Sequence, residues 1–129
     1  MKILVVEPMK TPTVQEIDGS LRSMQELVGG TIQAVYPFDD PVALVCNDEG
    51  KLLGLPWNRA LTDDHGVPYY IVCGTFFVVG IGYEAFTSLT ERQIEKYRKK
   101  YANEMVFSVP APSGNHKKQY NKEKYEHER

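Results

Sequence analysis

Apolar residues in this chain come in short runs, and the length of those runs limits what they can become. Ile3-Leu4-Val5-Val6 stops at Glu7-Pro8. Val42-Ala43-Leu44-Val45-Cys46 stops at Asn47-Asp48. The longest, Tyr69 to Gly80, is interrupted only by Gly74-Thr75. All are far shorter than the ~20 residues that cross a bilayer. None carries the 3.6-residue period of an amphipathic helix. Such runs, rich in β-branched side chains, read as strands covered on both faces.

The intervening segments supply the turns and the helices. Val14 to Ile17 is a weak second strand, returning on the first after Thr11-Pro12-Thr13. Asp18-Gly19-Ser20 starts a helix, in which Leu21, Met24, Leu27 and Val28 share one face. Gly29-Gly30 ends it, because glycine accepts the left-handed conformation of a helix C-terminus. Thr31 to Tyr36 alternates as a strand and closes at Pro37. Asn47-Asp48-Glu49-Gly50 signals a hairpin, with Lys51-Leu52-Leu53 as a short return strand. Tyr69 to Gly80 reads as one central strand with a bulge at Gly74. Ser88-Leu89-Thr90-Glu91 matches a capping box for a second helix, which turns Ile94, Tyr97 and Tyr101 inward. Short connections favour antiparallel pairing. The expected fold is α+β: a mostly antiparallel sheet of five or six strands with two helices packed on one face.

The chain has 129 residues and a formal net charge of -2, which suits one domain with no general attraction to nucleic acid. The charge is uneven. Residues 1–107 hold 10 Lys+Arg against 14 Asp+Glu, and residues 108–129 hold 5 against 3. The predicted organisation is therefore one α+β domain over 1–107 and a charged, disordered or partner-ordered tail over 108–129. Cys46 and Cys73 lie inside apolar runs, without CxxC or histidine spacing, and read as reduced core thiols. No secretory leader and no span are recognisable, so a cytoplasmic location without membrane contact is expected.

Chemistry, if any, is expected near Gly54 to Pro68, a polar stretch punctuated by glycine and proline. Asn47, in the hairpin before it, and Trp57, Asn58 and Arg59 within it are the candidate ligand- or partner-binding residues. The indole offers an apolar face, the amides pair as donor and acceptor, and the guanidinium suits carboxylate or phosphate. A structural role competes: Asn58 could close the loop, Trp57 could plug the core, and Arg59 could pair with Asp63 or Asp64. Asp39-Asp40 and Asp48-Glu49 fall in turns, where backbone reasons explain them. Asp63-Asp64-His65 lacks a second histidine at ligand spacing. No nucleophile, metal set or cofactor motif is present, so no catalytic residue, metal or cofactor is assigned.

Met1 to Pro8, Gly29-Gly30-Thr31-Ile32, Leu44 to Leu52, Leu55-Pro56-x-Asn58-Arg59 and Gly74 to Gly80 together resemble a small bacterial domain family of unknown function found in phages, plasmids and other mobile elements of Gram-positive bacteria. The resemblance covers about residues 1–101 and implies a mobile-element setting rather than a mechanism. It leads to the expectation of a non-enzymatic protein that binds a host protein, such as a defence or regulatory component. The alternative is sequestration of a small anionic ligand such as a nucleotide. An exposed strand edge would support a homodimer.

Overall fold

The computed structural model of the chain describes residues 1–103. Ten elements follow in order: β1 (Lys2–Val6), β2 (Thr13–Glu16), α1 (Leu21–Val28), β3 (Ile32–Val35), β4 (Val42–Asn47), β5 (Trp57–Thr62), β6 (Pro68–Cys73), β7 (Phe76–Ile81), β8 (Phe86–Thr87) and α2 (Glu91–Lys100). The larger sheet has the order β2-β1-β7-β4-β3, with β8 extending the β1 side of β7. Every pairing is antiparallel. β5 and β6 form a separate two-stranded sheet. The α+β class and the antiparallel sheet are as expected from the sequence. The predicted tail, 108–129, lies outside the described residues.

β7 occupies the centre, between β1 and β4. Leu4 faces Val78 and Leu44 faces Val78 across the two ladders. All three are fully buried, and so are Val42, Ala43, Val45, Phe76, Phe77 and Val79. Continuous burial on both faces is why these strands show no alternation in the sequence.

The two faces are covered differently, and here the structure corrects the expectation. Ile3, Val5, Ala43, Val45, Phe77 and Val79 pack with Met24 and Val28 of α1. Leu4, Val6, Val42, Leu44, Phe76 and Val78 pack with Ile94 and Tyr97 of α2, and with Leu61 and Val72 of the small sheet. The helices therefore lie on opposite faces. The α1 face needs only one short helix because strand ends and Phe86 complete it. The α2 face is shared with the β5–β6 hairpin.

Four local assignments also change. Lys51-Leu52-Leu53 is turn, not a return strand, and much of the supposed loop after Gly54 is strand β5. Tyr69 to Gly80 is two strands in two sheets, because the chain switches sheets at Gly74. Gly74 has φ +88, a backbone conformation that side chains with a Cβ rarely adopt, so glycine is favoured there. The cap of α2 is Thr90, whose hydroxyl accepts from Gln93 N at 3.1 Å while Gln93 Oε1 accepts from Thr90 N at 2.9 Å. Ser88 instead receives the backbone N–H of Lys2 at 2.9 Å.

α2 is tied to the turn before β4 by Asp40. Its Oδ2 accepts from Lys96 Nζ at 2.6 Å and from the Tyr97 hydroxyl at 2.8 Å. These two bonds, that from Lys96 foremost, hold the Asp40 carboxyl below its ordinary value of 3.8. A depressed carboxylate stabilises the fold above its unfolded value and loses that contribution as pH falls through the folded one. Asp40→Asn should thus lower the urea midpoint near about pH 6, and the deficit should shrink as pH falls below the ordinary carboxylate value of 3.8. An equal deficit above and below that value would mean that the charge contributes nothing.

Candidate functional site

The four residues singled out in the sequence do not form one outward-facing group. Asn47, Asn58 and Arg59 are buried, at 5%, 1% and 1% exposure, whereas Trp57 is half-buried. The amide and guanidinium expected to meet a ligand or partner instead bond to buried groups of the chain itself.

Asn47 ends β4 and locks two turns together. Its Nδ2 donates to the carbonyl of Val28, the last residue of α1, at 3.0 Å. Its Oδ1 accepts from Glu49 N at 2.7 Å. The side chain thus serves one of the free carbonyls that every helix C-terminus leaves over and also folds the turn after β4.

Asn58 and Arg59 form a clasp at the start of β5. Asn58 Nδ2 donates to the carbonyls of Val6 and Gly74, both at 2.9 Å. That joins the end of β1 to the point where the chain leaves β6. Asn58 Oδ1 accepts from Arg59 Nη1 at 2.8 Å. The Arg59 fork reaches further. Its Nε and Nη2 donate to Tyr101 O at 3.3 and 2.9 Å, and Nη2 donates to Lys10 O at 2.7 Å. One side chain therefore fastens the β1–β2 turn, β5 and the C-terminal cap of α2. The cation also sits at the negative end of the α2 dipole. A register shift between Trp57 and Arg59 lets both Asn58 and Arg59 turn inward on successive positions. Asp63 closes its own hairpin tip, accepting from His65 N and Val67 N.

Three further side chains, Tyr101, Cys46 and Cys73, are buried without an assigned role. The Tyr101 hydroxyl is buried and finds no partner among the described residues. Its ring packs edge-on against Phe76, with centroids 5.4 Å apart. An unpaired hydroxyl costs about 1–3 kcal/mol of desolvation. Tyr101→Phe should therefore leave the melting temperature unchanged or raise it. A clear fall would reveal a partner for that oxygen. Cys46 and Cys73 are free and buried. Burial pushes the Cys46 thiol up to about 11 and raises Cys73 as well. Because the thiolate is the reactive form, neither should react with an aromatic disulfide reagent at neutral pH until urea unfolds the chain.

The surface beside the clasp is built differently. Residues 48–55 form a turn closed by Leu53 N to Glu49 O at 2.9 Å, Gly54 N to Lys51 O at 3.1 Å and Leu55 N to Gly50 O at 3.0 Å. Gly50 lies so close to β6 that a Cβ would meet the Cys73 carbonyl oxygen at 2.6 Å. Lys51 folds back, with Nζ 4.5 Å from the Tyr70 ring centroid. Leu52 and Leu53 remain 62% and 57% exposed. Trp57 pairs across the ladder with Cys73, the residue against which Gly50 packs. The sequence reading missed these leucines by assigning them to a strand. The signal that could have found them is two adjacent leucines between a turn asparagine and a glycine.

A family model described as a domain of unknown function, DUF3846, matches residues 1–102. The chain belongs to this family. The DUF3846 match spans all ten elements and the whole Asn58–Arg59 clasp, and it agrees with the unknown-function domain that the sequence resembled. Searches of the curated proteins and of the solved structures returned no match to the chain. No helix among the described residues of this DUF3846 chain is long and apolar enough to cross a membrane.

Proposed function

We propose that this chain is a non-enzymatic binding protein whose contact surface is the turn of residues 48–55, with Trp57 beside it. The observation that carries this reading is the exposure of Leu52 and Leu53 on a turn fixed by its own backbone bonds. Single exposed leucines are ordinary, but two held side by side on a pinned turn form an anchor with little entropy left to lose on binding. Trp57 extends the apolar area. Buried aromatic and apolar anchors of this kind dominate the energy of protein interfaces. The partner is a host protein and the setting a mobile element or phage, as the family resemblance suggests; a defence or regulatory component is the target we favour.

The test is quantitative pull-down from a Gram-positive lysate with the full chain. Leu52→Asp/Leu53→Asp and Trp57→Ala should each reduce recovery of a specific partner by about tenfold or more. Circular dichroism should show that both variants remain folded. Equal recovery by all three chains would remove this surface from consideration. Sequestration of a nucleotide would need a cation other than Arg59, whose fork is directed at protein oxygens.

A further inference from the structure

The chemistry of the partner can be read from the residues that flank the leucines. The hydrogen bond from Leu53 N to Glu49 O is a helical i to i+4 bond. It stacks Glu49 and Leu53 on one side of the turn, and Asp48 precedes Glu49 in the same turn. The turn therefore carries two carboxylates, Asp48 and Glu49, along with its two exposed leucines. The cation of the turn is withdrawn, because Lys51 Nζ lies over the Tyr70 ring. Lys51 is also half-buried, and desolvation lowers its pKa. What the turn displays is apolar and negative. The described chain as a whole is also acidic, with 10 Lys+Arg against 13 Asp+Glu over residues 1–103.

We infer that the turn of residues 48–55 binds a basic, apolar-anchored segment of a partner protein, its apolar side chains on Leu52 and Leu53 and its lysines or arginines beside Asp48 and Glu49. This rests on the contact surface proposed above and adds the sign of the partner. Opposite charge at the rim steers encounter and rejects acidic competitors, while the apolar centre supplies the affinity. An amphipathic helix with a basic flank has this pattern.

Trp57 is the single tryptophan of the chain and borders the turn, so its fluorescence reports occupancy. The probe is a synthetic amphipathic peptide of leucines at helical spacing flanked by lysines, titrated onto the full chain. Its counterpart carries glutamate for every lysine. The lysine peptide should shift Trp57 emission and bind about tenfold or more tightly than the glutamate peptide. Asp48→Asn/Glu49→Gln should weaken it by about three- to tenfold, and added salt should do the same to the native chain. Equal binding of the two peptides, or an unchanged affinity in the double variant, overturns the inference. So does failure of the lysine peptide to bind because the chain's own basic residues beyond 103 already occupy the turn, which would show as salt-dependent Trp57 emission without peptide. The two proposals fail separately. A lysate partner lost on Leu52→Asp/Leu53→Asp but retained by Asp48→Asn/Glu49→Gln keeps the surface and discards the basic partner.

Discussion

Replacing Arg59 with alanine destabilises the domain by about 3–5 kcal/mol, a large share of the ~5–15 kcal/mol that holds a domain of this size. The expectation follows from what the guanidinium holds. Its donors serve the carbonyls of Lys10 and Tyr101 and the side-chain oxygen of Asn58, all from a site 1% exposed. Each buried acceptor left without a donor costs about 1–3 kcal/mol, and bonds from a charged donor are at the strong end. The dipole of α2 also loses its counter-charge. Arg59→Lys should recover less than half of the loss, because one ammonium cannot span carbonyls on two sides of a planar fork. Urea unfolding monitored by Trp57 fluorescence measures both. A loss under about 1 kcal/mol would mean that water replaces the fork without penalty, and that the clasp is not a main support.

Asn58→Ala gives the second large effect, about 2–4 kcal/mol. It strips the donor from Val6 O and Gly74 O and the acceptor from Arg59 Nη1 at once. The side chain is too enclosed, at 1% exposure, for water to substitute freely. Because Asn58 and Arg59 share a bond, the double variant should lose less than the sum of the singles. Strict additivity in that cycle would show the two anchors to be independent. Neither substitution is expected to act through the contact surface, so partner recovery by whatever fraction remains folded should persist. That separates a structural role for these residues from the binding role first expected of them.

The sequence made β1 and β4 of the large sheet legible, because Ile3–Val6 and Val42–Cys46 can be little else. It also showed α1 with its caps, since Ser20 and Gly29 act locally. What it concealed depends on contacts distant along the chain. Ser88 and Thr90 both offer a capping hydroxyl, and the choice falls to Thr90 because Lys2, 86 residues away, engages Ser88. The change of sheet at Gly74 shows only in the pairing, because β6 joins β5 while β7 joins β1 and β4. β5 escaped notice because Asn58 and Arg59 break its alternation, and they do so because a bulge turns both inward. Strands buried on both faces carry no mark of which helix covers which side, so the opposite placement of α1 and α2 could not be read. The residue types at the candidate site were visible, but their direction was not. Polar groups that bond to buried carbonyls look the same in a sequence as polar groups that await a ligand.

The middle position of β7 has a consequence for how the chain matures on the ribosome. Its partners on either side, β1 and β4, are both synthesised before it. Until residues 76–81 emerge, the nascent polypeptide holds two half-sheets with facing open borders and a slot between them. Loop closure across some seventy residues must precede the final zippering of β1 to β7. Such an intermediate exposes pairing-competent backbone and apolar side chains together, a recipe for association between neighbouring nascent chains. Truncations that end before Phe76 should therefore yield aggregates rather than smaller folded units.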